Sequence, residues 1–340
     1  MKLFIFLFCF SVVSAFSIQE ETILLDRANT LYKEGRYAQA ILLYRKAGSR
    51  GADPIAVSFN TGNCFFQTEK YPEAAAAYRK AVNFSKGAFA PALFNLASVY
   101  FRLKLFPESI ATYHRALTLE PNNGSGWLFL GEAYARTGDK VGTVRALEKA
   151  YDLDSIDISV AYQLAEAHIA LQDFDRAIIL IRKAYSRHPE EVDFLVYLGD
   201  VYRLQKDFES SASAYREALS IRPEDVNLLY KLADVLAEGN QEYMAMDVLT
   251  QALLIKPSFS DAAIFLGNLA FDTKWWDRAE TAYEQAAKYK NPEAAYGFKN
   301  LAYEASLKQN NEEALKLLKK ALQFYPEDLT IQAEILNFEE

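Results

Sequence analysis

Residues 197–223 of the chain read YLGDVYRLQKDFESSASAYREALSIRP, and this stretch decides the fold. Its last alanine, Ala218, belongs to a series that recurs along the whole chain. The members of this series, called here the reference alanines, are Ala47, Ala81, Ala116, Ala150, Ala184, Ala218, Ala252, Ala286 and Ala321. Successive members are 34 or 35 residues apart, and a period in this range is typical of stacked repeat architectures. The chain is therefore predicted to contain one structural unit in nine copies.

Two further series keep a constant distance from the reference alanines. The small positions lie 19 residues earlier and hold Ala28, Gly62, Ala97, Gly131, Ala165, Gly199, Ala233, Gly267 and Ala302. The bulky positions lie three residues earlier and hold Tyr44, Tyr78, Tyr113, Leu147, Ile181, Tyr215, Leu249, Tyr283 and Leu318. Small residues let two helices approach closely where they cross, and the large residue fills the gap beside them.

Each unit reads as a helical hairpin. Its apolar residues recur at helical spacing in two blocks, which a short turn such as Lys206-Asp207 separates. Proline closes the second helix because it cannot continue one, and it does so in five units, at Pro121, Pro189, Pro223, Pro257 and Pro326. A single hairpin leaves an apolar face exposed, so the hairpins must stack on their neighbours.

The Leu-Gly/Ala-x-x-Tyr pattern of the first block, the alanines and bulky residue of the second block and the closing proline resemble the tetratricopeptide repeat. The resemblance covers roughly residues 21–326. It implies an all-α fold, a right-handed superhelical solenoid of about nine helix-turn-helix repeats. Residues 327–340 are predicted to form a C-terminal capping helix. One extra residue near Gly87 and another near Pro292 are expected to perturb the superhelix at the second and eighth junctions.

The first 15 residues are predicted to be a secretory signal peptide. Lys2 supplies a positive charge, an apolar run follows, and small residues precede two candidate cleavage sites, after Ala15 and after Ser17. The run is shorter than the roughly 20 residues of a transmembrane helix, although an uncleaved anchor stays open as an alternative. We therefore expect an exported protein, periplasmic or extracellular, with no transmembrane span in the mature chain. Peripheral association with the envelope is compatible with this expectation.

Composition and motifs argue against several function classes. The net charge is −8 without a basic cluster, which argues against nucleic acid as a partner. Removal of the leader takes away Cys9 and leaves Cys64 as a single buried thiol, so neither a disulfide nor a cysteine metal site is expected. No phosphate loop, nucleophile motif or metal-ligand spacing occurs, and His168 is expected in the core. The chain is accordingly predicted to be no enzyme and to need no metal or other cofactor.

The resemblance implies that the first helices line a concave groove, which holds an extended peptide or a helix of a partner. Residues three or four apart share one face of a helix, and this geometry selects two series. The groove positions directly follow the small positions and hold Asn29, Asn63, Ser98, Glu132, Glu166, Asp200, Asp234, Asn268 and Tyr303. The rail positions lie one turn earlier and hold Leu25, Phe59, Phe94, Leu128, Tyr162, Val196, Tyr230, Ile264 and Lys299.

Together these series predict an apolar and aromatic rail beside an acidic stripe. The predicted partner-binding residues are Asn29, Phe59, Asn63, Phe94, Glu132, Tyr162, Glu166, Asp200, Tyr230, Asp234 and Asn268. A basic peptide, or a mixed apolar and basic one, would suit this face. The alternatives are that the carboxylates are only solvated and that the aromatic rings only pack between helices. A clamp for a partner's carboxylate is not expected, because Leu25, Phe94 and Ser98 stand where such a clamp needs lysine or arginine.

The leading hypothesis is an exported, non-enzymatic scaffold that binds a protein or peptide segment in this groove. The alternative is a structural or assembly subunit of an envelope complex, which would act through the convex face or the ends of the array. A regulatory subunit of a separate enzyme is a third hypothesis. Neither the oligomeric state nor the identity of the partner is predicted.

Overall fold

The computed structural model of the protein describes residues 20–153 and 158–339, and every regular element in these ranges is an α-helix. The predicted all-α fold is confirmed. The predicted signal peptide, residues 1–15, lies outside the described ranges. Among the helices within them, none is both long enough and apolar enough to cross a membrane.

Nineteen helices follow one another along the described residues, as nine pairs and a final single helix. The first helices of the pairs are α1 (20–33), α3 (Pro54–Gln67), α5 (Ala90–Arg102), α7 (Gly124–Thr137), α9 (Ile158–Ala170), α11 (Asp193–Leu204), α13 (Val226–Glu238), α15 (Ser260–Asp272) and α17 (Glu293–Leu307). The second helices are α2 (Tyr37–Ser49), α4 (Tyr71–Phe84), α6 (Phe106–Leu119), α8 (Lys140–Leu153), α10 (Phe174–Arg187), α12 (Phe208–Ile221), α14 (Glu242–Ile255), α16 (Trp276–Lys288) and α18 (Asn311–Phe324). The final helix, α19, spans Leu329–Glu339.

The chain divides into two compact units, residues 1–173 and 174–340. The described part of the first unit holds α1–α9, and the second unit holds α10–α19. The reference alanines and the bulky positions are buried in both units. In the second unit a continuous apolar core extends from Val192 to Ile335. The series that recur in the sequence are therefore the residues that form the core.

The small and bulky positions of one hairpin pack directly against each other. A Cβ atom built on Gly199 would lie 2.4 Å from Cε1 of Tyr215, and one built on Gly62 would lie 2.6 Å from Cε1 of Tyr78. Non-bonded carbon atoms prefer a separation of about 3.5–4.0 Å, so glycine is what allows the ring to lie against the first helix. The predicted crossing of the two helices at the small positions is confirmed.

A left-handed residue ends the first helix of every pair, with φ between 56° and 80°, and these residues are Gly35, Glu69, Lys104, Gly138, Gln172, Lys206, Asn240, Lys274 and Gln309. In each turn, the amide of the next residue donates a hydrogen bond to the carbonyl five residues before it, as from Asp207 N to Tyr202 O at 2.9 Å. This is the Schellman arrangement, which satisfies a carbonyl at the end of a helix. Seven of the nine residues are not glycine, at a backbone cost of about 1–2 kcal/mol each.

The extra residues of the second and eighth junctions are accommodated between helices. Lys86 and Gly87 adopt φ of 53° and 83° after α4, and Lys290 adopts φ of 60° after α16. Left-handed residues reverse the chain within a short loop. The helices on either side of both junctions therefore keep their ordinary lengths of 13 to 15 residues.

Buried single residues also match their predictions. His168 is 4% exposed and Cys64 is fully buried, so both belong to the core as expected.

In α19, Ile331 and Ile335 are buried, whereas Leu329 and Leu336 are 75% and 61% exposed. One side of α19 thus covers the preceding hairpin, and its other side carries apolar residues in contact with solvent.

Candidate functional site

The groove positions form an accessible series on the first helices. None of the nine is buried, whereas each small position directly before them is buried. The rail positions are half-buried, apart from Ile264, which is buried. The helical geometry that selected these residues therefore identifies side chains that contact solvent.

Part of the aromatic rail packs within the protein. The Phe59 ring lies 5.2 Å from that of Phe89, and the Tyr230 ring lies 5.5 Å from that of Phe259 and 5.6 Å from that of Phe265. These are ordinary distances for edge-to-face and tilted aromatic pairs. Packing between helices therefore accounts for part of the burial of Phe59 and Tyr230, and both side chains remain half-exposed.

Four groove positions accept a hydrogen bond from a tyrosine of their own hairpin. The hydroxyl at the bulky position donates to the side-chain oxygen 15 residues earlier, at 2.6–2.9 Å, in the pairs Tyr44–Asn29, Tyr78–Asn63, Tyr215–Asp200 and Tyr283–Asn268. Asn95 Nδ2 adds a bond to Asn63 Oδ1 at 3.0 Å. These polar groups stabilise the hairpins, a role that we did not predict. The signal was present in the sequence as tyrosine paired with asparagine or aspartate at a constant spacing.

In the second unit, cations of the same chain neutralise the predicted acidic stripe. Lys231 Nζ donates to both carboxylate oxygens of Asp200, at 2.6 and 2.8 Å. Arg203 binds Glu238 through two nitrogens, at 2.6 and 2.7 Å, and Asp234 Oδ2 at 2.7 Å. The hydrogen bonds from Arg203 lower the pKa of Glu238. Burial raises the pKa of Asp234, and Arg203 opposes that effect.

In the first unit, Glu132 and Glu166 line one cavity of about 610 Å³. Its other lining residues come from four helices and the turn after α7, and they are Phe101, Gly131, Ala135, Arg136, Gly138, Lys140, Thr143, Leu147, Gln163, Ala167 and Ala170. Within the described ranges, neither glutamate carboxylate has a hydrogen bond or an ion pair. Burial raises the pKa of Glu132, and Arg136 and Arg102 oppose that effect from a longer distance.

The two basic residues at the cavity are already in contact with other groups. Lys140 Nζ donates to the carbonyl of Ala170 at 2.7 Å. The guanidinium carbon of Arg136 lies 6.0 Å from the centre of the Phe101 ring, within the range of a cation–π contact. Among the described residues, the two carboxylates of the cavity therefore have no hydrogen bond or ion pair, whereas each of the two cations has a close partner.

The size of this cavity follows from the residues of the hairpin α7–α8. Its small position is Gly131 and its bulky position is Leu147, whereas the other glycine hairpins hold tyrosine and the other leucine or isoleucine hairpins hold alanine. This hairpin therefore has glycine rather than alanine at its small position and leucine rather than tyrosine at its bulky position. It lacks both the volume of a phenol ring and the hydroxyl that would bind the residue at the groove position.

Other depressions along the first helices differ in charge. One of about 310 Å³ is lined by the neutral side chains of Tyr32, Asn63, Phe66, Gln67, Tyr78, Asn95 and Ser98. Another, of about 520 Å³ in the second unit, is lined by Asp200, Arg203, Leu204, Lys206, Phe208 and Glu238. In the latter, Asp200, Arg203 and Glu238 are bonded within the protein. Carboxylates without an ion pair among the described residues therefore distinguish the cavity at Glu132 and Glu166 from these two depressions.

This arrangement of helix pairs with buried small residues and an accessible first-helix face defines a helical-hairpin repeat protein. The profile of the tetratricopeptide repeat matches residues 25–92, 162–226 and 266–328, and a second profile of the same repeat matches residues 90–123. The first profile alone covers more than half of the 340 residues. The chain belongs to the tetratricopeptide repeat family.

Several solved structures of tetratricopeptide repeat proteins are similar to this chain. The C-terminal part of a TPR repeat-containing protein from Cytophaga hutchinsonii is 16% identical, with 80% of this chain and 98% of that chain covered and a TM-score of 0.55. A tetratricopeptide repeat protein from Parabacteroides merdae is 15% identical, with 89% and 99% covered and a TM-score of 0.44. YrrB, described as a TPR protein with an unusual peptide-binding site, is 21% identical, with 56% and 98% covered and a TM-score of 0.41. The first similarity shows the fold alone. A comparison with curated proteins finds no match.

Proposed function

We propose that the protein is an exported, non-enzymatic scaffold that binds a peptide or protein segment along its groove positions. The observation that carries this proposal is the cavity at Glu132 and Glu166, because unpaired carboxylates beside an apolar wall are what a partner could bind. The fold supports the proposal, since tetratricopeptide repeats are generally interaction scaffolds. The segment would add its own contacts at Asn29, Asn63 and Asn268, whose amides keep bonding capacity beyond their tyrosine partners.

A test of the binding face uses a photo-crosslinking amino acid on two different sides of the protein. Benzoylphenylalanine replaces Arg102, which is exposed one turn after the groove position Ser98, or Tyr303, at a groove position of the second unit. On the other side it replaces Gln39 or Arg216, which are exposed on second helices. Irradiation in the native host should give a cross-linked protein from the first pair only. Products from the second pair alone would contradict the proposal.

Export is the second part of the proposal and rests on residues 1–15. Residues 1–17 fused to alkaline phosphatase, which is active only outside the cytoplasm, should give active enzyme in the native host. The mass of the purified protein should correspond to a chain that begins after residue 15 or 17. An intact N-terminus with an inactive fusion would contradict export and would leave the binding face unaffected.

The alternative role, as an assembly subunit of an envelope complex, is favoured by one observation. Leu329 and Leu336 share one side of α19, the last helix that the structure describes, and both are largely exposed. Replacing both leucines with glutamate should disrupt an assembly that uses this end, as measured by light scattering of the native complex. It should leave the cross-links from Arg102 and Tyr303 unchanged if the first-helix face binds the partner.

A further inference from the structure

We propose that the cavity between α7 and α9 binds one cationic side chain, arginine or lysine, of the partner, with its charged group between Glu132 and Glu166. This proposal rests on the proposed function and specifies the chemistry of the partner. It also revises the predicted acidic stripe. Glu132 and Glu166 bind the partner, whereas Asp200 and Asp234 form ion pairs within the protein.

The main argument is a comparison of equivalent positions two repeats apart. The ion-pair network of the second unit consists of Asp200, Arg203, Lys231, Asp234 and Glu238. The residues 68 positions earlier are Glu132, Ala135, Gln163, Glu166 and Ala170. All five line the cavity. The first unit therefore keeps the two carboxylates at the groove positions and lacks both cations that neutralise their counterparts.

The shape of the cavity fits an inserted side chain. Gly131 and Leu147 leave the space that a tyrosine ring fills in other hairpins, and the methyl groups of Ala135 and Ala167 replace longer side chains on the walls. A volume of about 610 Å³ lies within the range of sites that bind small ligands, about 300–1,000 Å³. The aliphatic part of an arginine or lysine can pack on these apolar walls while its charge reaches the glutamates.

The charge of the cavity determines the sign of the ligand. Lys140 and Arg136 already have partners, a carbonyl and an aromatic ring, whereas the carboxylates of Glu132 and Glu166 have none among the described residues. Glu132 is half-buried, whereas Glu166 is exposed. A half-buried carboxylate without a close cation is costly, and an approaching cation removes that cost. A guanidinium group has the further advantage that its planar donors can bind two carboxylates at once.

The experiment begins with a random peptide display library, selected against the full chain. Enriched peptides are expected to share one arginine or lysine, and a synthetic representative is measured by fluorescence anisotropy. Its affinity should fall about tenfold or more for the variant E132Q/E166Q, a change of about 1.4 kcal/mol. Replacing the shared arginine with citrulline, or the shared lysine with norleucine, should cause the same loss. The two changes together should cost little more than either one alone.

A second variant supplies the missing cations from the protein itself. Ala135→Arg with Gln163→Lys reproduces the residues of the second unit and should abolish binding while both glutamates remain. The matched control, Ala111→Arg with Gln39→Lys, makes the same two substitutions at exposed positions of second helices and should bind like the native chain. Circular dichroism and thermal unfolding establish that all variants are folded.

The outcomes separate this inference from the proposed function. The inference fails if the enriched peptides share no cation, or if E132Q/E166Q binds them with native affinity. In that case the proposed function survives when substitutions at other groove positions still block binding. If the library yields no binding peptide, or if only second-helix substitutions affect binding, both the inference and the proposed binding face fail.

Discussion

The two units of the chain carry carboxylates at the same repeat positions, but these carboxylates form ion pairs in the second unit only, as far as the described residues show. In residues 174–340, Asp200 and Asp234 are held by Lys231 and Arg203. In residues 1–173, Glu132 and Glu166 line an open cavity and have no partner among the described residues. The repeat positions are equivalent, so the difference lies in the neighbouring residues: Ala135 and Gln163 of the first unit stand where the second unit has Arg203 and Lys231. A repeat fold can thus either neutralise a surface charge itself or leave it available to another molecule, without any change in architecture.

The largest expected effect on the free energy of unfolding compares how tightly the hairpins α11–α12 and α7–α8 are packed. Gly199→Ala should lower the free energy of unfolding by about 2 kcal/mol, because the new Cβ would lie 2.4 Å from the Tyr215 ring. Gly131→Ala should change it by less than about 0.5 kcal/mol. There the closest atoms, 2.9 Å away, belong to Leu147, which can move into the cavity. Urea unfolding of both variants measures the difference, and equal losses would show that the hairpin α7–α8 is as tightly packed as α11–α12.

The next effect tests the ion-pair network of the second unit. Arg203→Ala should destabilise the protein by about 1.5 kcal/mol, since it leaves Asp234 and Glu238 close together without their shared cation. Arg136→Ala, in the first unit, should cost less than about 0.5 kcal/mol because Arg136 lies over the Phe101 ring and interacts with Glu132 without forming an ion pair. The loss from Arg203→Ala should shrink in 1 M salt, which screens the repulsion between the two carboxylates. Similar losses for both arginine variants at low salt would remove the contrast between the units.

A smaller effect tests the hydroxyl that the cavity hairpin lacks. Tyr215→Phe removes the hydrogen bond to Asp200 Oδ1 and should cost about 1 kcal/mol. Tyr303→Phe is the control, because Tyr303 is 63% exposed at a groove position and should change stability by less than about 0.5 kcal/mol. Thermal unfolding followed by circular dichroism compares the two. A neutral Tyr215→Phe would mean that Lys231 alone satisfies Asp200.

The smallest expected effect is the change in the free energy of unfolding when a glutamate loses its charge, and its sign is opposite in the two units. The pKa of Glu238 is lowered by Arg203, so its stabilising contribution is present above its unfolded pKa and is lost as the pH falls through the folded value. The pKa of Glu132 is raised by burial, so stability is greatest below its unfolded pKa and is lost as the pH rises through the folded value. At pH 7, Glu238→Gln should therefore destabilise and Glu132→Gln should stabilise, each by about 0.5 kcal/mol.

The stability of the variants Glu132→Gln and Glu238→Gln is measured as a function of pH. Urea unfolding at pH 7 should rank Glu132→Gln at or above the native chain and Glu238→Gln below it. As the pH falls through the folded pKa of each glutamate, its difference from the glutamine variant should shrink. A loss of stability at pH 7 on replacing Glu132 would show that its charge already has a stabilising partner within the chain.

The fold could be predicted because its determinants are local and repeated. The reference alanines, small positions and bulky positions each report a contact inside one hairpin, and nine copies make the pattern clear despite variation between units. The accessible face could also be predicted, since it follows from helical spacing alone. Aligned repeats reveal which side chains share a register, and that is sufficient to place Glu132 and Asp200 at equivalent positions.

The difference between those two carboxylates could not be predicted from the groove positions by themselves. It depends on residues 31 positions away on neighbouring first helices, such as Lys231 for Asp200, whose atoms must come within about 3 Å. Sequence spacing does not fix such distances. The cavity was missed for a related reason, because it arises from a shortage of volume shared by Gly131 and Leu147, neither of which is unusual for its own position.

The buried thiol of Cys64 determines how the protein tolerates an oxidising environment. Its side chain is fully buried in the core of the first unit, and burial raises its pKa to about 11. Only about one thiol in a thousand or fewer would then be ionised near neutral pH, and the thiolate is the form that attacks disulfides. The folded chain can therefore keep a reduced cysteine among disulfide-bonded proteins without forming mixed disulfides. Unfolding would expose the thiol, so covalent dimers in a non-reducing gel would report chains that had lost their fold.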